Sequence, residues 1–294
     1  PIVNRSIKII ADHYADPEQG SGAVKITPAH DFNDYEVGKR NKLELINIFQ
    51  KNGKINKNGV KEFIGLDRFE ARKILIAKLK ENGNLSKIEN INNKVPYGDR
   101  SNTIIEPLLT KQWFVNAKKL SKKPIEVVNK GKTSFFPNSW SKTFFQWMKN
   151  IEPWCISRQI WWGHRIPAWY DENNNIFVAE NEKQALILAK KKNKNKNLKL
   201  VQETDVLDTW FSSALWPFST LGWPEESKDL SNYYPTSLLV VGFDIIFFWV
   251  ARIIMMGINF QKDIPFKDIF VHCLVSDSKR RKMSKSLGNT IDPL

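Results

Sequence analysis

One long apolar stretch, residues 238–260, restricts the possible folds of this chain more than any other feature. Its length would allow a membrane-spanning helix. However, it contains Asp244 and Arg252, and a charged side chain inside a bilayer is costly. A glycine also divides the stretch after its first four residues. We therefore predict a buried strand over residues 238–241 and a mostly buried helix over residues 244–256, which together form a βα unit of an α/β domain.

Other segments predict the elements around this unit. Residues 22–27 predict a strand after a Gly-Ser-Gly turn, and residues 269–275 predict another strand near the end of the chain. Residues 31–41 predict a helix with an aspartate at its N-cap, and residues 67–82 predict an amphipathic helix. We expect residues 113–150 to form helical connections. Their buried stripe would consist of Trp140, Phe144, Phe145 and Trp147.

The amino-acid composition limits the possible binding partners and the cellular compartment of the protein. A hydrophobic content of 41% in 294 residues supports a real core, and the net charge of +14 suits a polyanionic partner such as nucleic acid. Much of that excess charge lies in a Lys/Asn-rich stretch at residues 190–199. Cys155 and Cys273 are far apart and form no CxxC pair, so we predict neither a disulfide framework nor a bound zinc ion. The chain begins at Pro1 without a signal-peptide pattern, and we expect a piece of a longer cytoplasmic protein.

A short basic loop near the end of the chain predicts the chemistry. It reads K-M-S-K-S-L-G-N over residues 282–289. Two lysines supply positive charges on long stems, and serine hydroxyls with backbone N–H groups supply further donors. Such a loop suits the binding of a triphosphate while one of its phosphates is attacked. Its order of residues is far narrower than that of a basic surface loop.

Four longer segments accompany this loop in order. They are WCISRQ (154–159), WWGHRIPAWY (161–170), DVLDTWFSSALW (205–216) and GFDIIFFW (242–249). Together with the K-M-S-K-S loop they resemble the valyl-tRNA synthetases, a family of class I aminoacyl-tRNA synthetases. The isoleucyl and leucyl families share the architecture and the loop, but their intervening motifs differ.

The resemblance implies an α/β fold made of two parts. Residues 1–92 would be the later part of an inserted editing domain, and residues 93–150 the connection back to the catalytic core. Residues 151–294 would be the second half of a Rossmann-like catalytic domain, ending at the K-M-S-K-S loop. The family's other ATP motif, H-I-G-H, does not occur in this sequence. We therefore expect an internal fragment that does not activate valine by itself.

The reaction implied by the resemblance is the ATP-dependent activation of valine, followed by transfer of the valyl group to tRNA(Val). The resemblance assigns the binding of the departing pyrophosphate to Lys282 and Lys285, with Lys285 the more important. Mg²⁺ is expected to be bound to the ATP substrate. The resemblance assigns further ATP contacts to Met283, Ser284, Ser286, Gly242, Asp244, His272 and Val275. Two positions depart from the family pattern, because Cys273 replaces a glycine and Leu287 replaces a frequent lysine.

The side chain of valine is assigned by the same resemblance to Trp210, Ile245 and Trp249. Ile245 and Trp249 are four residues apart, so on an α-helix they would share one face. Gly242 and Asp244 follow the predicted strand, and open α/β sheets bind ligands at the carboxyl ends of their strands. Asp244 is accordingly expected to bind the ribose of the nucleotide.

The first part of the chain resembles the family's editing domain over residues 20–36. The implied reaction is the hydrolysis of mischarged threonyl-tRNA. Lys25, Asp31 and Asp34 would line the editing pocket, with Asp34 binding the α-amino group of the amino acid. Asn41 replaces a histidine that is usual in the family.

The expected partners are therefore tRNA(Val), valine and ATP, for a monomer that does not bind membranes. Two alternatives remain open. The chain could belong to an isoleucyl- or leucyl-tRNA synthetase, or it could be a non-catalytic, basic α/β module that binds nucleotide or nucleic acid. Convergence of the K-M-S-K-S loop, Asp244 and Trp249 on one pocket would separate an enzyme from such a module.

Overall fold

A computed structural model of the chain describes residues 2–3, 5–99, 101–192 and 198–291. The chain divides into two compact units, Pro1–Lys111 and Gln112–Leu294. We describe each unit by itself.

The first unit contains two α-helices and little other regular structure. Helix α1 spans Phe32–Arg40 and helix α2 spans Arg68–Glu81, each with an aspartate as its N-cap, which confirms both predicted helices. A 3₁₀ turn at Lys61–Phe63 lies between them. The buried apolar cluster is small and consists of Ile55, Phe63 and Ala71.

Two expectations for this unit are wrong. Residues 22–27 form no strand, since no neighbouring strand pairs with them in the part of the chain that the structure describes. Their backbone is instead bound at its end by a carboxylate of α1, as described below. Helix α2 is not clearly amphipathic, because Ala71 is its buried residue while Ile74 and Ile76 are exposed.

The second unit alternates short strands and helices. Its strands are β1 (Phe114–Val115), β2 (Ser134–Phe136), β3 (Trp154–Cys155), β4 (Ser157–Arg158), β5 (Ala168–Tyr170), β6 (Ile176–Val178), β7 (Val201–Gln202), β8 (Val206–Leu207), β9 (Thr236–Gly242) and β10 (Phe266–His272). Its helices are α3 (Ala117–Leu120), α4 (Lys122–Asn129), α5 (Ser139–Lys149), α6 (Glu182–Lys192), α7 (Thr209–Ser213), α8 (Trp216–Ser219), α9 (Lys228–Tyr233) and α10 (Arg252–Phe260). The mixture places the chain in the α/β class, as predicted.

A parallel sheet of three strands, in the order β2-β10-β9, organises this unit. Side chains alternate between its faces. One face carries the buried residues Phe135, Leu239, Val241, Ile269 and Val271, which join the main hydrophobic core. The alternate residues Phe136, Val240 and Phe270 are about half exposed. Among the described residues, three smaller antiparallel sheets have the strand orders β1-β3, β4-β8 and β6-β5-β7.

The helix after β9 is present, but its geometry differs from the prediction. It begins with a 3₁₀ turn at Phe243–Ile245, continues as a π-helix over Ile246–Ala251, and becomes α-helical only in α10. The stretch Phe243–Phe260 has the length and apolarity of a membrane span, and 56% of it is buried inside the structure. That burial is typical of the core helix of a folded domain.

Three further differences concern the ends of predicted segments. The strand predicted over residues 269–275 is β10, which begins earlier and ends at His272. The aromatic stripe of α5 is only partly buried, since the side chain of Trp147 is half exposed. The compact units divide after Lys111, whereas the sequence predicts a domain boundary near residue 93. Arg68 bonds Ile104 and Glu106 within the first unit.

Candidate functional site

The carboxyl ends of β9 and β10 meet at one point of the sheet. Gly242, the last residue of β9, is paired in parallel register with His272, the last residue of β10. A Cβ atom on Gly242 would lie 2.7 Å from Asp244 Oδ1, 3.5 Å from Leu274 Cδ2 and 3.7 Å from His272 Cε1. A side chain at position 242 would therefore displace the carboxylate of Asp244 from its present place. The predicted residues Gly242, Asp244 and His272 are thus brought together.

The K-M-S-K-S loop begins with a hairpin. Ser276 and Lys282 form an antiparallel bridge, and Arg280 occupies the left-handed region at the turn with φ of 59°. The carboxylate of Asp277 accepts hydrogen bonds from Arg281 N, Arg281 Nε and Asn289 Nδ2. Hydrogen bonding, first from Asn289 and then from Arg281, holds the pKa of Asp277 below its ordinary value. Asp277 therefore stays ionised and organises the loop.

The second half of the loop is a capped 3₁₀ turn at Lys285–Leu287. Ser284 is its N-cap, and its Oγ accepts a hydrogen bond from Leu287 N at 3.3 Å. Gly288 ends the turn in the left-handed region with φ of 61°, which favours glycine. Asn289 Oδ1 accepts from Ser284 N at 2.9 Å, and its Nδ2 donates to Lys282 O at 3.3 Å. The glycine and the asparagine of the motif thus have structural roles.

One contact joins the loop to the end of the sheet. Lys282 Nζ lies 3.8 Å from Asp244 Oδ2, and the side chain of Lys282 is 73% exposed. An ion pair so open to solvent contributes little to stability, so Lys282 is available to a ligand. The side chain of Lys285 is also exposed and forms no ion pair within the described part of the chain. The loop therefore presents two exposed cations, and one of them, Lys282, lies next to the residues that follow β9.

The other predicted nucleotide contacts vary in exposure. Val275 is 69% exposed, while Met283 and Ser284 are half-buried. His272 is exposed, and its Nδ1 lies 2.9 Å from Cys273 O. The side chain of Ser286 lies outside the described residues.

The three residues predicted to bind the amino-acid side chain are all half-buried and pack against the main core. Trp210 lies in α7 and stacks on Phe248, with ring centroids 6.2 Å apart. Trp249 Nε1 donates to Ser213 O at 3.1 Å. Ile245 and Trp249 are not successive turns of one α-helix, because Ile245 ends the 3₁₀ turn and Trp249 lies in the π-helix. The spacing argument for their common face is therefore wrong.

A buried charged group beside α7, the carboxylate of Asp208, was not predicted from the sequence. Asp208 is 5% exposed and is the N-cap of α7, and its carboxylate also contacts Trp154, Arg158 and Arg252. A signal for it existed in the sequence, since Arg252 stands inside an otherwise apolar run and required a buried anion as partner.

In the first unit, Thr27 links two of the three predicted editing residues. Asp34 is buried, and its Oδ2 accepts hydrogen bonds from Thr27 N at 2.7 Å and from Thr27 Oγ1 at 3.1 Å. Lys25 Nζ donates to the same hydroxyl at 3.2 Å. Asp31 Oδ1 caps α1 by accepting from Asn33 N and Asp34 N. Thr27 had no role assigned from the sequence, although it lies within the segment 20–36 that resembles the editing domain.

The fold and the loop together define the class. A family model described as tRNA synthetases class I (I, L, M and V) matches residues 34–294, and the chain belongs to this family. Over its full length the chain is 66% identical to a valine–tRNA ligase of Pelagibacter ubique and 58% identical to one of Caulobacter vibrioides. It covers 34% and 32% of these two proteins, so it spans about a third of the length of the curated relatives that it matches.

The solved structures to which this chain is similar include tRNA synthetases. One is Mycobacterium tuberculosis methionyl-tRNA synthetase bound by methionyl-adenylate. It is 20% identical, with a TM-score of 0.43, and the match covers 68% of this chain and 33% of that one.

Proposed function

We propose that this chain is the part of a valine–tRNA ligase that carries half of the ATP site and one wall of the valine pocket. The observation that carries the proposal is the approach of Lys282 to Asp244, at the carboxyl end of β9. It supports a nucleotide site between the loop and the sheet, with the phosphates on the loop and the ribose at Asp244. Identity of 66% to a valine–tRNA ligase favours valine over isoleucine or leucine.

The proposed chemistry begins with attack of a valine carboxylate oxygen on the α-phosphorus of ATP. The new O–P bond forms as the bond to the β-phosphate oxygen breaks, and the electron pair leaves with pyrophosphate. Lys282 and Lys285 neutralise the charge that collects on this leaving group, and Lys285 has no anion in the described residues to compete for it. Fixed charges of this kind act chiefly by positioning and electrostatic stabilisation.

The second step transfers the valyl group to tRNA. A ribose hydroxyl of tRNA(Val) attacks the carbonyl carbon of valyl-adenylate, and AMP leaves. Mg²⁺ would bind as part of the ATP substrate. The described residues contain no group of three or more His, Cys, Asp or Glu side chains that could hold a metal ion of their own.

We further propose that the whole protein is a cytoplasmic monomer.

We also propose an editing role for the first unit. A hydrophobic pocket rejects an isostere bearing a hydroxyl only about a hundredfold, and this limit is well known for threonine in a pocket for valine. The buried carboxylate of Asp34, beside Thr27 and Lys25, favours a site for an α-amino group and an ester carbonyl. Oδ2 of Asp34 accepts hydrogen bonds from Thr27, so Oδ1 would accept a hydrogen bond from the ammonium group of the ligand.

An amino-acid panel in ATP–pyrophosphate exchange, performed with the full-length protein, tests the main proposal. We expect exchange with valine to exceed exchange with isoleucine and leucine. Exchange driven by isoleucine or leucine instead would assign the chain to one of those enzymes. A full-length protein that exchanges with none of the three would favour a non-catalytic binding module.

A further inference from the structure

The buried carboxylate of Asp208 lies where three segments of the second unit meet. Its Oδ2 accepts a hydrogen bond from Trp154 Nε1 at 2.9 Å and lies 3.0 Å from the guanidinium NH2 of Arg158. The same oxygen is 3.5 Å from NH1 of Arg252. Its Oδ1 accepts from Trp210 N at 3.4 Å, which caps α7. One carboxylate thus joins β3 and β4, the helix α7, and the first residue of α10.

Arg252 is held in this position by more than charge. Its guanidinium lies 4.0 Å from the ring centre of Trp154, and 8% of the residue is exposed. Within the described residues, its NH1 has no hydrogen-bond partner. Burial lowers the pKa of Arg252 to about 10, while the carboxylate of Asp208 opposes that shift. Arg252 is therefore a cation at neutral pH, and only Asp208 is available to pair with it at contact distance among the described residues.

Helix α7 is fastened to the helix after β9 at both of its ends. At the N-terminus, Asp208 pairs with Arg252. At the C-terminus, Ser213 O accepts from Trp249 Nε1 at 3.1 Å. Between these two links, Trp210 stacks on Phe248. The link through Arg252 comes directly after the π-helix Ile246–Ala251, and π-helical turns frequently occur at functional sites.

We propose that Asp208 and Arg252 are positioning residues for the amino-acid pocket, and that they set the separation between its two walls. Trp210 on α7 would form one wall, and the segment after β9 that carries Ile245 and Trp249 would form the other. The ion pair acts through these side chains and does not touch the substrate. This inference rests on the proposed function, because it concerns the pocket that would take valine.

Steady-state exchange assays of the full-length protein test this inference, using Arg252→Met, Arg252→Lys and Asp208→Asn. We expect Arg252→Met to raise the KM for valine about tenfold while the KM for ATP changes less than about twofold. Threonine and isoleucine should be rejected less well relative to valine, because a loosened wall fits valine less closely. Arg252→Lys keeps the charge and should recover part of the loss.

A purely structural role predicts a different pattern. Loss of folded enzyme lowers the apparent kcat for every substrate and leaves the KM for valine and the discrimination against threonine unchanged. The matched control is Arg68→Met in the first unit, since Arg68 is also a poorly exposed arginine that pairs with a carboxylate and lies over an aromatic ring. We expect that variant to leave the KM for valine unchanged.

A double-mutant cycle covers the case in which Arg252→Met folds poorly. Trp210→Phe is combined with Arg252→Lys and with Asp208→Asn, and the KM for valine is measured for each. Effects that are less than additive support action through Trp210. Additive effects, or an unchanged KM for valine in all variants, would overturn the inference. A wild-type protein without valine-dependent exchange would instead overturn the proposed function.

Discussion

The two units of the chain hold their candidate sites in different ways. The second unit has an extensive apolar core formed by the parallel sheet, α5, the π-helix and α10, and its site lies at the edge of this core. Among the described residues of the first unit, the buried apolar cluster has three members, and Ala29 and Val37 are buried outside it near the candidate site. The carboxylates of Asp31 and Asp34 accept hydrogen bonds that hold this site, including one from Thr27 N. The difference indicates that packing contributes more to the geometry of the site in the second unit, and polar side chains more to that of the site in the first.

The largest effect should come from removing packing in the second unit. Ile254 is fully buried in α10, and Ile254→Ala should lower the free energy of unfolding by about 4 kcal/mol. Ile55→Ala is the matched change in the small core of the first unit, where we expect about 2 kcal/mol because fewer neighbours surround it. Hydrogen exchange followed by mass spectrometry would measure both. Equal losses in the two units would contradict the comparison.

The next effect concerns catalysis at the edge of the large core. Lys285→Ala should lower the rate of ATP–pyrophosphate exchange by about a hundredfold, because a fixed charge on the leaving group is lost. Affinity for valine, measured by equilibrium binding, should stay the same. Lys279→Ala changes an exposed lysine of the hairpin that leads into the loop and should leave exchange intact. Normal exchange by Lys285→Ala would remove the lysine from the proposed mechanism.

A smaller effect is expected at Asp34 in the first unit, where two substitutions separate the role of its charge from the role of its hydrogen bonds. Asp34→Ala should slow the hydrolysis of threonyl-tRNA and should also destabilise the unit by about 1–3 kcal/mol, since Thr27 N loses its acceptor. Asp34→Asn keeps an acceptor for Thr27 and should impair hydrolysis with less destabilisation. Hydrolysis of threonyl-tRNA at the wild-type rate by both variants would exclude Asp34 from editing.

The smallest effect is expected for Asp277 in the K-M-S-K-S loop. It shows whether polar contacts hold the shape of this loop, as they hold the candidate site of the first unit. The pKa of Asp277 lies below its ordinary value of 3.8, so its contribution is complete above about pH 4 and is lost only as the pH falls through the lowered pKa. The KM for ATP should therefore show no titration of Asp277 between about pH 5 and 9. Asp277→Asn should raise that KM about threefold at all of these pH values. A KM for ATP in Asp277→Asn equal to that of the wild type would show that the loop keeps its shape without this carboxylate.

Much of the site was predictable because its residues lie close together in the sequence. The strand, the glycine and the aspartate at 242–244 follow one another, and the loop is a continuous motif. The contacts of Asp208 were not predictable in the same way, since Trp154, Arg158 and Arg252 come from separate segments. Such pairings depend on packing that no local pattern contains.

The sequence by itself determined the α/β class, the helices begun by Asp31 and Asp67, and the loop with its two lysines. These features depend on apolar periodicity, capping residues and a contiguous motif, which are all local properties of the chain. Only the tertiary structure decided that Lys282 reaches Asp244, that the helix after β9 is π-helical, and that Thr27 occupies one oxygen of Asp34. The physical reason is that each of these depends on which distant groups the core brings within hydrogen-bonding or contact distance.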